Sequence, residues 1–400
     1  MKILVINCGS SSIKYKLYNM DNRTVLAAGG MEKIGLDDSF LKMKNPDGSS
    51  ETVSVSITNH EQGINFILKQ LTSPDRGVIK SLEEIDAVGH RIVHGGEFTH
   101  SVIVTPEILE KWKESLELAP LHNPAHLKGY EAVKKELPTV KQVFVFDTAF
   151  HQTMPDYAYT YALPHEICET YKIRRYGFHG TSVRYVSAKA CEFLGWDIND
   201  KKIIVCHIGN GASLTAVKNG KVIDTSMGLT PLPGLVMGTR CGDVDPMAIL
   251  FIMEHMNLST KQVSELINKK SGVLGMSGVS SDMRELDDAI NAGNKQALLA
   301  HNTYCYSVSK YLGAYTFAMG GLDAIIFTAG VGEHQHTVRR DILKGLEPLG
   351  IKLDMEKNDV NFGENQIISS ADSKVTVAVI GTDEELLIAS DTEKLVKGDC

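Results

Sequence analysis

The strongest constraint on how this chain can fold is a pattern that occurs twice, half the chain apart. Residues 2–29 read as an apolar strand ("KILVIN"), a small-residue turn at Gly9 to Ser12, and a second strand in which Ile13, Tyr15 and Leu17 alternate with Lys14, Lys16 and Tyr18. A third strand, "TVLAAG", follows. From Ile203 the segment "IIVCHIGNGASLTAVKNGKVIDTS" repeats this plan. Gly9 aligns with Gly209 and, with one inserted residue, Ser12-Ile13 aligns with Ser213-Leu214. The expectation is an α/β chain built from two copies of one unit, each led by a β-meander, with both small-residue turns facing one interdomain cleft.

The first turn has the composition of a phosphate loop, yet no Gly-Lys-Ser/Thr closes it and no helical pattern follows. A hairpin of small side chains lets backbone N–H groups approach an anion closely. Two such hairpins are expected to grip a polyphosphate from both sides, where a P-loop uses one turn and a helix dipole. Further on, "LDAIIFTAGVGEH" (322–334) reads as a buried strand, a Gly-x-Gly turn and a helix opened by Glu333. Its place late in the chain argues against a dinucleotide fingerprint. In "GVSSDMREL" (278–286) a Ser/Asp N-cap run precedes an apolar helix and offers Ser281, Asp282 and Arg284 to a nucleotide.

At 400 residues the chain is expected to hold two or three domains. A formal net charge of −8 gives no basic footprint for nucleic acid, so a bound anion must be held by local arginines and backbone N–H groups. No run approaches the roughly 20 apolar residues that cross a bilayer, which predicts no membrane association. The opening "MKILVIN" lacks the charged start and cleavage site of a signal peptide. Seven scattered cysteines without CxxC spacing read as reduced thiols of a cytoplasmic protein, with neither a disulfide framework nor a zinc site.

Reactive side chains concentrate in a few stretches. "AVGHRIVHGGE" (87–97) is strand-like and carries His90, Arg91 and His94; "VFVFDTAFH" (143–151) is a buried strand ending on Asp147; "YGFHGTS" (176–182) sets Phe178 and His179 between glycines. The long helix-poor run "DTSMGLTPLPGLVMGTRCGDVDP" (224–246) holds Arg240 between Gly238 and Gly242 and reads as a functional loop. Asp147 serves equally well as a helix N-cap, and His122 in "LHNPAH" reads as a surface or capping histidine. Arg91 and Arg240 are the better candidates for anion clamps, because a guanidinium is permanently charged and binds phosphate or carboxylate bidentately.

"NCGSSSIK" and "GLTPLPGLVMGTRCGDVDP" resemble the two signature stretches of the acetate kinase family, and recognisable segments run from Lys2 to about Glu385. The resemblance implies two ribonuclease-H-like domains of the actin-like ATPase superfamily, each a mixed five-stranded sheet with helices, in a homodimer. It implies reversible, Mg-dependent transfer (Mn being possible) of the ATP γ-phosphoryl group to acetate, giving acetyl phosphate and ADP. By the same resemblance Asn7 and Glu384 organise the metal, and Ser12 and Lys14 meet the ATP phosphates. His207, Ile208, Gly209, Asn210 and Gly211, Asp282, Met283 and Arg284, and Gly330, Val331, Gly332, Glu333 and His334 are implied nucleotide contacts. Arg91 resembles the acetate-carboxylate binder, His179 and Arg240 the transition-state stabilisers, and Asp147 the catalytic aspartate. Val93, Leu121, Phe178 and Pro231 match a small apolar pocket for the methyl group. No departure from the family pattern is seen at these positions.

Propionate kinase is the nearest alternative, separated by pocket volume, and butyrate kinase shares the outline. A sugar kinase needs a carboxylate base for its alcohol acceptor, whereas Arg91 suits a carboxylate. An ATP-driven conformational or filament protein needs client or polymer contacts for which the chain has little room. The expected domains are 1–150 with a returning helix at 386–400, on the acceptor side, and 151–385, binding nucleotide. The polar stretch from Lys33 to about Thr58, with its Asn-Pro-Asp-Gly turn, reads as a hairpin excursion.

Overall fold

The doubled meander sets the topology of both halves of the chain. The computed structural model describes residues 1–44, 49–359 and 365–399, and these divide into two units, Met1–Ala149 with Asp383–Cys400, and Phe150–Thr382.

In the first unit β1 (Lys2–Cys8), β2 (Ile13–Asn19) and β3 (Thr24–Glu32) form the antiparallel meander. The antiparallel hairpin β4 (Phe40–Lys44) and β5 (Ser50–Ser54) continues it, which is the expected excursion; its Asn-Pro-Asp-Gly turn lies outside the described residues. On the other side of β1, β6 (Ala87–Ile92) and then β8 (Lys141–Phe146) add in parallel, and the two-residue β7 (Val102–Ile103) closes the edge antiparallel to β8. The order is β5-β4-β3-β2-β1-β6-β8-β7.

Central strands are buried on both faces, so β1 is apolar without alternation. Leu4 and Ile6, with Ile13 and Leu17 of β2, pack under the helices His60–Leu71 and Asn123–Glu136 through Ile64, Ile67, Leu68, Ala132 and Val133. On the opposite face Ile3, Val5, Tyr18, Val143 and Val145 meet Ile388 and Ala389 of the returning helix Glu384–Lys397. Gly89 of β6 lets that helix come close: a Cβ there would lie 2.5 Å from Thr392 Oγ1 and 2.7 Å from Ile388 Cγ2.

The second unit repeats the plan with β9 (Lys202–Ile208), β10 (Ala212–Lys218) and β11 (Lys221–Thr225) as its antiparallel meander. Then β12 (Ala324–Thr328) and β14 (Thr376–Val379) add parallel to β9, with the short β13 (Gln366–Ile367) at the edge, in the order β11-β10-β9-β12-β14-β13. Helix Gly180–Leu194 covers Ile203, Val205, Ala324 and Ile326 through Val183, Val186 and Ala190, and helix Lys295–Met319 packs against β9 and β10. Both sheets thus contain the five-stranded core in which the third, second, first, fourth and fifth strands lie side by side. Extra edge strands widen them to eight and six.

Backbone pairing corrects the alignment of the two copies. Cys8 pairs with Ile13 across the first turn and Ile208 with Ala212 across the second. The second turn is therefore one residue shorter, not longer, and Ala212, not Leu214, is the counterpart of Ile13. Shared Ser-apolar pairs suggested the wrong register because residue type is a weaker determinant of correspondence than the hydrogen-bond ladder.

Candidate active site

In the first unit the expected residues collect at one end of the sheet. Arg91 of β6 pairs in register with Val145 of β8, so Asp147, two residues further on, returns to the face of Arg91. The two form a forked ion pair: Nε lies 3.3 and 3.1 Å from Asp147 Oδ1 and Oδ2, and Nη2 lies 2.7 Å from Oδ2. Glu384, the first residue of the returning helix, places Oε2 3.4 Å from Arg91 Nε. Asp147 is 1% exposed. Burial alone would disfavour the Arg91 charge, but Asp147 and Glu384 more than reverse this and raise its pKa. Burial, with Asp147 and Glu385 as like-charged neighbours, pushes Glu384 up to about 7 against the opposing fields of Arg91 and Lys14. The Nη1 edge of Arg91 donates to none of the described residues.

Asn7 faces Lys14 across the β1–β2 ladder. Ser12 ends the connecting turn, which is closed by the Gly9 N–H to Ser12 O at 2.8 Å and braced by His60, whose Nε2 donates to Gly9 O at 2.7 Å. The Gly9 N–H is therefore consumed inside the turn, as is that of Gly209, which donates to Gly211 O at 3.1 Å. Any anion must use the neighbouring N–H groups. Lys16, one pleat on from Lys14, is tied to Asp383 at 3.3 Å and Glu385 at 3.1 Å. Val93 follows β6 half-buried, and Leu121 is exposed. His122 sits at an N-cap position without a side-chain capping bond.

In the second unit Gly209, Asn210, Asp282, Met283, Arg284, Gly330, Val331 and His334 line one pocket of about 500 Å³, together with Ser281 and Gln335. Asp282 caps helix Met283–Asn291 by accepting from Arg284 N–H at 2.9 Å, and it holds the Arg284 guanidinium at 2.6 Å. That pairing draws the Asp282 carboxyl down to about 2. The expected Gly-x-Gly turn is instead helical: β12 runs directly into helix Ala329–His334. Glu333 does not open a helix. It lies in this one's last turn and reaches back to accept from Ala329 N–H at 2.9 Å and Thr382 N–H at 3.3 Å, away from the pocket. Its carboxylate satisfies the first N–H of the helix, that of Ala329, which holds a φ of +64°.

His179 also has a left-handed backbone, φ +60°, at the N-cap of helix Gly180–Leu194. Its ring stacks on His207 with centroids 4.1 Å apart, and its Nδ1 is hydrogen-bonded to Ser213 Oγ at 2.9 Å. His207 Nδ1 meets Ser182 Oγ at 2.8 Å, and Ser182 meets Thr382 Oγ1 at 2.8 Å. Gly211 lies close to the Arg240 guanidinium and the His179 ring: a Cβ there would be 3.2 Å from Arg240 Nη1 and 3.7 Å from His179 Nε2. Residues 226–245 form neither helix nor strand. Gly238 anchors this loop, since its N–H donates to Asn210 O at 3.0 Å and a Cβ would overlap Asn210 Oδ1. Arg240 Nη1 donates to Pro231 O at 3.1 Å, and no carboxylate pairs with its guanidinium among the described residues. Burial lowers its pKa. Phe178 is fully buried. Sequence reasoning missed His60, Ser182, Ser213 and Thr382 as supports: single hydroxyls and a lone histidine carry no spacing signal, and their partners lie tens to hundreds of residues away.

Two units of this strand order, the second with Gly209 in its first meander turn and Gly330 after β12 lining one pocket, have the architecture of the ribonuclease-H-like, actin-like ATPase class of phosphotransferases. The model of the acetokinase family matches residues 2–390, and the chain belongs to that family. It is 63% identical to the acetate kinase of Phocaeicola vulgatus over 98% of both chains, and 60% identical to that of Bacteroides thetaiotaomicron over 99% of this chain and all of the other. Its fold matches the crystal structure of Porphyromonas gingivalis acetate kinase with a TM-score of 0.95 at 55% identity, covering 99% of each. A propionate kinase from Francisella tularensis matches with a TM-score of 0.92 at 40% identity, covering 98% of this chain and 99% of that one.

The buried Arg91–Asp147 pair generates a stability prediction. Arg91→Ala removes the forked cation from the buried Asp147 carboxylate and is expected to lower the unfolding free energy by about 3–5 kcal/mol. The double variant Arg91→Ala/Asp147→Asn should recover most of that loss. Denaturant melts of wild type, single and double variants check it; equal destabilisation by both would show that the stranded carboxylate is not the cause.

Proposed function

We propose that the chain is an ATP:acetate phosphotransferase, moving the γ-phosphoryl group of ATP reversibly to acetate by direct in-line transfer, without a phosphoenzyme. The observation that carries the reading is Arg91, a permanently charged fork whose Nε and Nη2 are held by Asp147 and whose Nη1 edge is bare. Such a group suits a carboxylate acceptor and not a sugar hydroxyl. Phosphoryl transfer needs alignment and charge neutralisation more than covalent participation. Arg240, without a carboxylate partner among the described residues, and His179, fixed by Ser213 and His207, would neutralise the transferring group. The pocket at Gly209, Asp282 and Gly330 would take the nucleotide, with His207, Ile208, Gly211, Gly332 and Glu333 shaping it from behind.

Asn7 and Glu384 would hold the divalent cation. The residues fit one: burial, Asp147 and Glu385 make the ionised form of Glu384 costly, and a dication relieves this. Among the described residues no cluster of three or more His, Cys, Asp or Glu could hold a metal alone, as suits Mg, or Mn, shared with substrate phosphates and water. When bound, the ion neutralises phosphate charge.

Acetate has roughly the acidity of a glutamate side chain, about pKa 4–5, and is already ionised at neutral pH. A general base at Asp147 would have no proton to remove, so Asp147 acts by orienting Arg91. Homodimerisation is supported by helix Pro246–His255, which exposes Met247, Leu250 and Phe251. No helix of the described residues is long and apolar enough to cross a membrane, and the net charge of −8 disfavours nucleic acid. A cytoplasmic location is in keeping with the six free cysteines of the described residues.

Hydroxylamine trapping of acyl phosphate tests the function. Hydroxamate is expected with Mg-ATP and acetate, less with propionate, and none without acceptor; ADP release without hydroxamate would overturn the acceptor assignment. Asp147→Asn is expected to lower kcat by a constant factor across pH, and loss of a titrating limb from the wild-type profile would restore Asp147 as a proton carrier. One methylene in such a pocket is worth about 1–3 kcal/mol, so Val93→Ala should shift kcat/KM toward propionate. An unchanged acetate-to-propionate ratio would remove Val93 from the pocket.

A further inference from the structure

We propose that Asn123, with His126 three residues further on, is a positioning residue that sets the size of the acceptor pocket; this rests on the acceptor reading above. After β6 the chain turns through Val93–Gly96 in the protein interior, where His94 is fully buried. Every backbone polar group there needs a protein partner, and most of those partners come from a single helix start and the segment before it. The Val93 N–H donates to His126 Nε2 at 3.3 Å, and the His94 N–H to Asn123 Oδ1 at 3.3 Å. The His94 carbonyl accepts from Asn123 Nδ2 at 3.0 Å, Trp112 Nε1 at 3.0 Å and Ser115 Oγ at 3.3 Å. Thr148, next to Asp147, accepts from Gly95 N–H at 3.0 Å through Oγ1.

Asn123 is the joint of this arrangement. Its side chain is fully buried and grips both sides of the His94 peptide unit, while Nδ2 also donates to Ser115 O at 3.0 Å. An N–H can only donate and a C=O can only accept, so these partners fix which way the amide points. Its own N–H donates to Ala119 O at 2.9 Å, closing the turn that carries Leu121. One residue therefore ties His94, the neighbour of Val93, through its side chain to the turn bearing Leu121, which its backbone closes; Val93 and Leu121 are the two residues of this unit expected to touch the methyl group.

His126 reinforces the lock at a cost to itself. It accepts through Nε2, so its proton sits on Nδ1, which is buried with no hydrogen-bond partner. Burial, then the nearby charge of Arg91, keeps the ring neutral and able to accept. An apolar residue of similar size would avoid the bare Nδ1 but would leave the Val93 N–H without its acceptor.

The test compares wild type, Asn123→Ala, His126→Ala and His126→Gln, the last of which restores an acceptor, in the hydroxamate assay with acetate and with propionate. The Ala variants are expected to lower the acetate-to-propionate kcat/KM ratio by about threefold or more, within the roughly 10–200-fold that one methylene controls. The change should lie mainly in acetate KM with ATP KM little altered, and His126→Gln should return the ratio toward wild type. If Asn123→Ala does not fold, the His126 variants decide alone. A folded His126→Ala protein, by its melting temperature, with an unchanged ratio would overturn the proposal, as would equal losses for both acceptors and a matching rise in ATP KM. Wild type that makes no hydroxamate from acetate would overturn the acceptor reading and this proposal with it; an active wild type with a ratio unmoved in the variants overturns this proposal only.

Discussion

The forked ion pair between Arg91 and Asp147 is the interaction around which the first unit is arranged. It demands that two parallel strands end in register and that their next residues face one way, which the β6–β8 pairing supplies. It then demands that the last helix of the chain start beside the same guanidinium, and the bare Cα of Gly89 lets that helix sit low enough on β6 to bring Glu384 there. A buried carboxylate held by a forked guanidinium tolerates little displacement, because losing that cation uncovers much of its desolvation cost. Strand register, helix height and charge balance are thus one constraint seen at three scales.

The second unit treats its arginine in the opposite way. Arg91 is saturated on two of its three nitrogens by carboxylates, whereas Arg240 makes a carbonyl contact at Pro231 and is partly desolvated with no carboxylate among the described residues. A cation in that state gains from any anion that arrives. The first arrangement favours fixed geometry and the second favours a change in occupancy; on the proposed reading, this would suit an acceptor that must be aimed and a phosphoryl group that must be neutralised only while it moves.

Much of this was legible in the sequence because it is periodic or glycine-marked. The alternation of Ile13, Tyr15 and Leu17 showed the face of β2, the apolar helix after residue 383 matches its periodicity, and the helix-poor run around Gly238 and Gly242 announced a loop. Arg91 and Asp147 could be named, though not their fork, since a pairing across 56 residues depends on strand register that neither stretch contains. Gly330–Gly332 misled: glycine spacing suggested a turn, but the segment is helical, with the carboxylate of Glu333 accepting from its first N–H, that of Ala329. The offset between the two meanders was likewise invisible, because a one-residue difference in turn length is settled by the ladder and not by the residues in the turn. Asn123 and His126 had no pattern to announce them, being single polar residues in an otherwise ordinary helix start.

The returning helix Glu384–Lys397 has a consequence for how the chain comes into being. Its Ile388 and Ala389 cover Ile3, Val5, Val143 and Val145, strands made hundreds of residues earlier during synthesis. Until that helix is made, its side of the first sheet lacks this cover, while the second unit, whose residues are contiguous, can complete itself in passing. The unit whose strands are made earlier is therefore the one that matures later. A chain stalled before residue 384 would carry an assembled second unit and a first sheet with an open apolar face, the kind of surface that chaperones hold and that seeds aggregation.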